Sequence, residues 1–137
     1  SKFTKLPVIS DDSGLCIKTL HNKPGIYSAR WAKKYGSFKK AMKLILKKMK
    51  NKKNRSATFV CSLCFNLSEK KKFFVVTGKL NGKIAFEMKG KNGFGYDPIF
   101  IPSGHKVTFG EMKKSKKIKI DNSFIAYKKL IKKVKIL

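Results

Sequence analysis

The sequence predicts a single α/β domain in which a mostly antiparallel sheet is packed by at least two helices. Three observations lead there. From Ala57 onward apolar and polar residues alternate at the period of a strand. Two other segments, one starting near Ser37 and one ending at Val134, carry apolar residues at helical spacing instead. The 137 residues, 42% of them hydrophobic, suffice for one buried core and fit one domain of ordinary size.

Taken in order, Pro7–Ser10 is a short strand with the look of a buried one, and it runs into Asp11-Asp12-Ser13-Gly14. Leu15–Leu20 is a second short strand, followed by the turn residues Asn22-Lys23-Pro24-Gly25. Ser37 is the N-cap of a helix through about Lys50, because Phe38, Ala41, Met42, Ile45 and Met49 share one face. The lysines of its last turn suit the negative end of the helix dipole. Asn51–Arg55 reads as a polar loop.

Ala57, Phe59, Cys61, Leu63, Phe65 and Leu67 then mark one face of a strand, with Thr58, Ser62 and Asn66 on the other. Phe73–Leu80 is the next strand, and Asn81-Gly82 predicts a tight hairpin into Ile84–Met88. The glycines between Gly90 and Gly95 indicate a loop, and Pro98–Pro102 is a short strand bounded by prolines. The last helix presents Tyr127, Leu130, Ile131 and Val134, capped by Asn122 or Ser123. No internal repeat or linker interrupts the chain.

The composition excludes several classes. No apolar run approaches the ~18–20 residues of a membrane span. Three cysteines (Cys16, Cys61, Cys64) are too few for a disulfide framework and fit a reducing compartment. The start, SKFTKLPVIS, does not read as a signal peptide, so a cytoplasmic protein is expected. The formal charge of +27 invites a nucleic-acid reading, yet all but two (Arg30 and Arg55) of the 34 basic residues are lysine. Arginine is the residue that pairs bidentately with phosphate and guanine. Lysine, Phe, Ile and Asn have A/T-rich codons, so nucleotide bias accounts for the mixture at least as well, and nonspecific attraction for polyanions follows in either case.

Seven acids exist, and two of them, Asp11 and Asp12, are adjacent. A divalent cation is one reason to juxtapose carboxylates in so basic a chain, and an Asx-type turn is the other. In Gly93-Phe94-Gly95-Tyr96-Asp97-Pro98 the glycines allow close backbone approach, Phe94 and Tyr96 offer flat faces to a base, and Asp97 offers an acceptor. A tight loop whose aromatics cap the core would look the same. An RNA-recognition strand fits poorly, since Asp97-Pro98 falls where such a strand needs valine and ladder hydrogen bonds. Cys61 and Cys64 point to opposite faces of a strand and lack partners for a zinc site. His105 lies in a turn and is expected to be exposed. The lysine-backed helix 37–50 is expected to pack on the sheet rather than on a membrane surface.

In this order the clusters resemble the inosine triphosphate pyrophosphatase family. The matching stretches are PVISDDSGL at 7–15, PGIYSAR at 24–30, NGFGYDPIF at 92–100, and Thr108 and Glu111 in KVTFGEM, with Lys117 at the spacing of the family's substrate-binding lysine. The resemblance implies a long, twisted, mixed but mostly antiparallel sheet flanked by helices, usually a homodimer. It implies Mg²⁺-dependent hydrolysis of non-canonical purine nucleoside triphosphates (ITP, dITP, XTP) to monophosphate and pyrophosphate. It makes Asp12 the general base and a metal-linked carboxylate, with Asp11 supporting the metal and Ser13 touching substrate. Phe94, Gly95, Tyr96 and Asp97 become the nucleoside-binding loop with Phe94 stacked on the purine, and Lys117 a substrate-binding cation.

Two departures accompany it. The family's first strand, glycine-containing phosphate loop and glutamate-bearing helix would precede Ser1. The family's Ser-His-Arg, which helps select the 6-oxo purine, falls on Asp121-Asn122-Ser123. Asn122 can still hydrogen-bond a base, but Ser123 cannot replace an arginine fork. The expectation is therefore the family fold with weak or no pyrophosphatase activity, exposed sheet edges and poor solubility. The competing expectation is an inactive remnant that binds nucleotides or nucleic acid through its lysine surface.

Overall fold

A computed structural model describes residues 5–67 and 72–136. Glu69, one of the seven acids, lies outside the described residues. The elements are β1 (Val8–Ile17), β2 (Lys23–Gly25), α1 (Ser28–Tyr35), α2 (Phe38–Met49), β3 (Ser56–Leu67), β4 (Lys72–Ile84), β5 (Phe100–Pro102), α3 (Lys114–Lys117) and α4 (Asn122–Val134). Single 3₁₀ turns cover Lys18–Leu20 and Asp97–Ile99. The strands form one sheet in the order β2-β1-β3-β4-β5, and every pairing is antiparallel.

One face of the sheet is covered. Alternation along β1, β3 and β4 places Leu15, Ile17, Ala57, Cys61 and Val76 on that face, and all five are buried. The helix over 38–49 forms as its pattern predicts. The Ser37 hydroxyl accepts a hydrogen bond from the Lys40 N–H at 3.1 Å, and Ala41, Met42, Ile45 and Met49 enter the core. Packing on the sheet, not on a membrane, uses up this face. Among the described residues no helix is long and apolar enough to cross a membrane.

Several expectations are corrected. The two short strands at 7–10 and 15–20 are one strand, paired residue by residue with β3 from Val8↔Asn66 to Ile17↔Ala57. Asp11 and Asp12 therefore lie inside a ladder rather than in an Asx turn. The stretch expected to be buried at 8–10 is exposed, with Ile9 at 56%. Asn81-Gly82 makes no hairpin, because β4 continues through it to Ile84, opposite Thr58 and Ala57. The glycine answers a close approach: a Cβ on Gly82 would run into the Ile101 carbonyl and the Phe100 ring as β5 packs alongside. Asn81 accepts from the Thr58 hydroxyl at 3.0 Å across the strand pair.

Two further corrections concern caps and loops. The cap of α4 is Asp121, whose carboxylate accepts from the Phe124 N–H at 2.8 Å, and neither Asn122 nor Ser123. Arg55, read as part of a polar loop, is buried; its guanidinium donates to the carbonyls of Ile84, Met49 and Ala85 at 2.7, 2.8 and 2.7 Å. It ties the end of α2 to the end of β4. His105 is half-buried rather than exposed. Cys16, Cys61 and Cys64 are free thiols.

Candidate active site

The loop between β4 and β5 is built around Asp97. The carboxylate is 3% exposed, accepts from the Phe94 N–H at 2.9 Å and from the Lys117 ammonium at 2.6 Å. Lys117, on α3, is itself buried, and its Nζ lies 4.6 Å from the centroid of the Phe94 ring and 5.2 Å from that of Phe109. The pair thus fixes the loop from beneath and leaves Phe94 on top, 78% exposed. An exposed phenylalanine held by its own backbone N–H over an ion pair is an open stacking surface.

Gly93 is required by this arrangement. Its φ of +72° lies in the left-handed region, and a Cβ there would meet the Asp97 carboxylate. Gly93→Ala is expected to destabilise the chain by roughly 1–3 kcal/mol and to displace Asp97 from Lys117. Urea unfolding monitored by circular dichroism checks the first effect. An unchanged midpoint would contradict this account of the loop.

Tyr96 faces the other way. Its hydroxyl donates to the Ser28 carbonyl at 2.7 Å, and burial pushes its phenol up to about 12, so it stays protonated and acts as a strut. The Ser28 hydroxyl in turn donates to the Gly25 carbonyl at 2.6 Å and accepts from the Leu15 N–H at 2.9 Å. Helix α1, which begins at Ser28, was not foreseen. It clamps the loop onto β1 through one serine.

These elements enclose a cavity of about 190 Å³. Of the residues singled out from the sequence, Ser13, Phe94, Gly95, Tyr96, Asp97, Lys117 and Asn122 line it. Gly14, Leu15, Ser28, Ala29, Phe38, Phe59, Asp121 and Ser123 complete the wall; Gly14 and Leu15 had a signal in PVISDDSGL, Ser28 and Ala29 in PGIYSAR, and Asp121 and Ser123 at the place of the family's Ser-His-Arg. The space is small beside the 300–1,000 Å³ of sites that engulf a whole ligand, and matches a ring rather than a complete nucleotide. Asn122 is buried in the wall while Ser123 is exposed at it.

Asp11 and Asp12 are exposed and do not line this cavity. Asp12 lines a separate hollow with Gly14, Cys16, Val60 and Ser62, whose strand positions belong to the sheet face opposite the one that carries Leu15 and Phe59 at the cavity. In a regular strand successive side chains face opposite sides, and Asp11 and Asp12 sit opposite Leu63 and Ser62 respectively. Asp11 thus shares the face of Ser13 and Leu15 and Asp12 lies on the other, so the two carboxylates do not converge on one cation. No group of three or more His, Cys, Asp or Glu residues that could hold a metal occurs among the described residues. Thr108 and Glu111 serve the fold: each bonds the other's backbone N–H, at 2.8 and 3.2 Å, as in a capping box.

Burial pushes the Asp97 carboxyl above the usual carboxylate range, opposed by Lys117 and the Phe94 N–H. A carboxyl raised in the fold favours the folded state when protonated, a contribution present at low pH and lost as pH rises through the raised value. Acidification through that raised value should therefore break the Asp97–Lys117 ion pair without lowering stability through this group. The expected result is that the chain gains stability relative to its Asp97→Asn variant as pH falls, read from urea midpoints. A relative loss would contradict it.

A sheet of five antiparallel strands flanked by helices, with a glycine–aromatic loop closing a ring-sized cavity beside an acidic strand, defines the class, and comparison with known proteins agrees. The model of the Ham1 family matches residues 1–133, and the chain belongs to that family. It is 40% identical over 131 residues to a dITP/XTP pyrophosphatase of Clostridium tetani, spanning 96% of this chain and 65% of that protein. A dITP/XTP pyrophosphatase of Dictyoglomus thermophilum is 42% identical over 132 residues, spanning 95% and 64%. The solved Ham1 protein of Staphylococcus aureus superposes with a TM-score of 0.91 at 35% identity, over 98% of this chain and 70% of that one. The chain thus spans just under two thirds of the length of the curated relatives it matches.

Proposed function

We propose that the chain hydrolyses dITP and XTP, the substrates in the names of its relatives, and ITP with them, to the monophosphate and pyrophosphate. The observation that carries this is Phe94, exposed over the buried Asp97–Lys117 pair at the mouth of a ring-sized cavity. The purine enters against the Phe94 ring. Asn122 and the backbone of Gly95 offer hydrogen bonds to its edge, and Lys117, paired with Asp97, holds the loop beneath the ring. The triphosphate then leads past Ser13 toward Asp12.

Asp12 takes a proton from a water that attacks the α-phosphorus, and the bond to the bridging oxygen breaks with its electron pair leaving on pyrophosphate. Asp12 would hold Mg²⁺, which would supply positive charge to the phosphates. Asp11, on the strand face that also carries Ser13 and Leu15, supports the metal region. Asn122 and Ser123 stand where the family's histidine and arginine are expected, so turnover is proposed to be weak and poorly selective for a 6-oxo purine. A homodimer belongs to the same proposal, and sedimentation equilibrium of the chain tests it.

Phe94→Ala should raise KM for dITP roughly 5–100-fold, the worth of about 1–3 kcal/mol of stacking, with little change in Tm because the ring is exposed. The deciding assay for the activity is release of pyrophosphate from dITP with Mg²⁺. Orthophosphate as the product, or no release above that of the Asp12→Asn variant, would refute it.

A further inference from the structure

The largest cavity described, about 690 Å³, is not the candidate active site. It opens between the Lys18–Leu20 turn, β2 and the outer faces of α1 and α2. Its aromatic wall is Tyr27, Trp31 and Tyr35, and its cationic rim is Lys23, Lys34, Lys48 and Lys52. No carboxylate lines it. Trp31 meets Tyr35 edge to face at 5.8 Å between centroids, and the Lys34 ammonium sits 5.6 Å from the Tyr35 centroid. Trp31 and Tyr35 rest one side against the core and turn the other to the cleft, while Tyr27 is half exposed.

Flat rings beside flexible cations are what a nucleotide unit needs, a face for the base and charges for the phosphate. The volume lies within the range of small-molecule sites. The cleft has aromatic faces and lysines but no buried carboxylate or amide to read a base edge, which favours a sequence-tolerant ligand. We infer that this cleft is a second binding site, for a nucleotide unit of single-stranded nucleic acid, with the base against Trp31 and Tyr27 and the flanking phosphates on Lys34, Lys48 and Lys52. It uses exposed lysines that the proposed hydrolysis does not, and it stands independently of that hydrolysis.

Trp31 is the chain's single tryptophan, so its fluorescence reports on this cleft alone. The probe is a 12-nucleotide deoxyadenosine strand, titrated in 50 and 200 mM salt. Saturable quenching is expected, with affinity falling roughly 10–20-fold between the two salts, as for about three phosphate contacts on a single strand. The double variant Lys34→Glu/Lys48→Glu should lose the quenching, while Lys128→Glu/Lys132→Glu on α4, the same change of net charge elsewhere, should keep it. Phe94→Ala should also keep it, which separates this site from the proposed active site. Circular dichroism melts confirm that these exposed substitutions leave the fold intact. Three results would overturn the inference: strand binding seen by anisotropy without Trp31 quenching, equal losses in the two double variants, or deoxyadenosine monophosphate quenching as tightly as the strand.

Discussion

Asp12→Asn is expected to lower pyrophosphate release from dITP by about 10²–10⁴-fold relative to the chain's own rate, with KM nearly unchanged. The carboxylate is exposed on β1 and lies outside the wall of the ring-sized cavity, so it contributes little to binding the base or to stability. The amide keeps its shape and its place opposite Ser62 but cannot accept the water's proton. Initial rates at saturating dITP read the effect. Asp11→Asn is the comparison, since that side chain lies on the face of Ser13 and Leu15 whereas Asp12 lies on the other. A larger loss for Asp11→Asn than for Asp12→Asn would reverse the assignment.

Lys117→Met should destabilise the fold by about 3–5 kcal/mol at neutral pH, the cost of leaving a buried carboxylate without its cation. Both members of the pair are buried, so solvent does little to screen the loss. The sign of the pH dependence distinguishes this from simple mispacking. Without Lys117 the Asp97 carboxyl rises further above its ordinary range, and protonation relieves the unpaired charge. The variant should therefore regain stability as pH falls through that raised value. A deficit that stays constant with pH would show that lost packing, not the ion pair, sets the cost.

Much of the site was legible because its chemistry is local. Gly93-Phe94-Gly95-Tyr96-Asp97 announces a tight turn with aromatic faces, and the structure makes it one, with the Asp97 carboxylate closing back on the Phe94 N–H. The helix over 38–49 was legible because cap, period and dipole agree in one segment. What escaped depends on distant partners. Asn81-Gly82 carries the local signal of a hairpin, yet β3 extends far enough to keep β4 paired through it, and β5 arrives from eighteen or more residues later to demand the glycine. Asp-Asp-Ser-Gly carries the local signal of a turn, and the β3 ladder overrides that too.

Arg55 shows the same limit from the side of charge. Among 34 basic residues nothing marks one of two arginines as buried, since its role is set by carbonyls of Met49, Ile84 and Ala85 that converge only in the fold. Helix α1 was missed because Ser28–Tyr35 is short and follows a Pro-Gly turn. Its aromatic and basic residues divide between the core and the open cleft, without the clean stripe that the period of a helix would reveal.

The account rests on a purine lying in the cavity under Phe94. A crystal structure of the Asp12→Asn variant with dITP and Mg²⁺ tests this most directly, because the substrate survives. The account predicts the purine ring stacked on Phe94, its edge toward Asn122, and the phosphates passing Ser13 toward residue 12. A purine found elsewhere, above all in the cleft beside Trp31 with the Phe94 cavity empty, would contradict it.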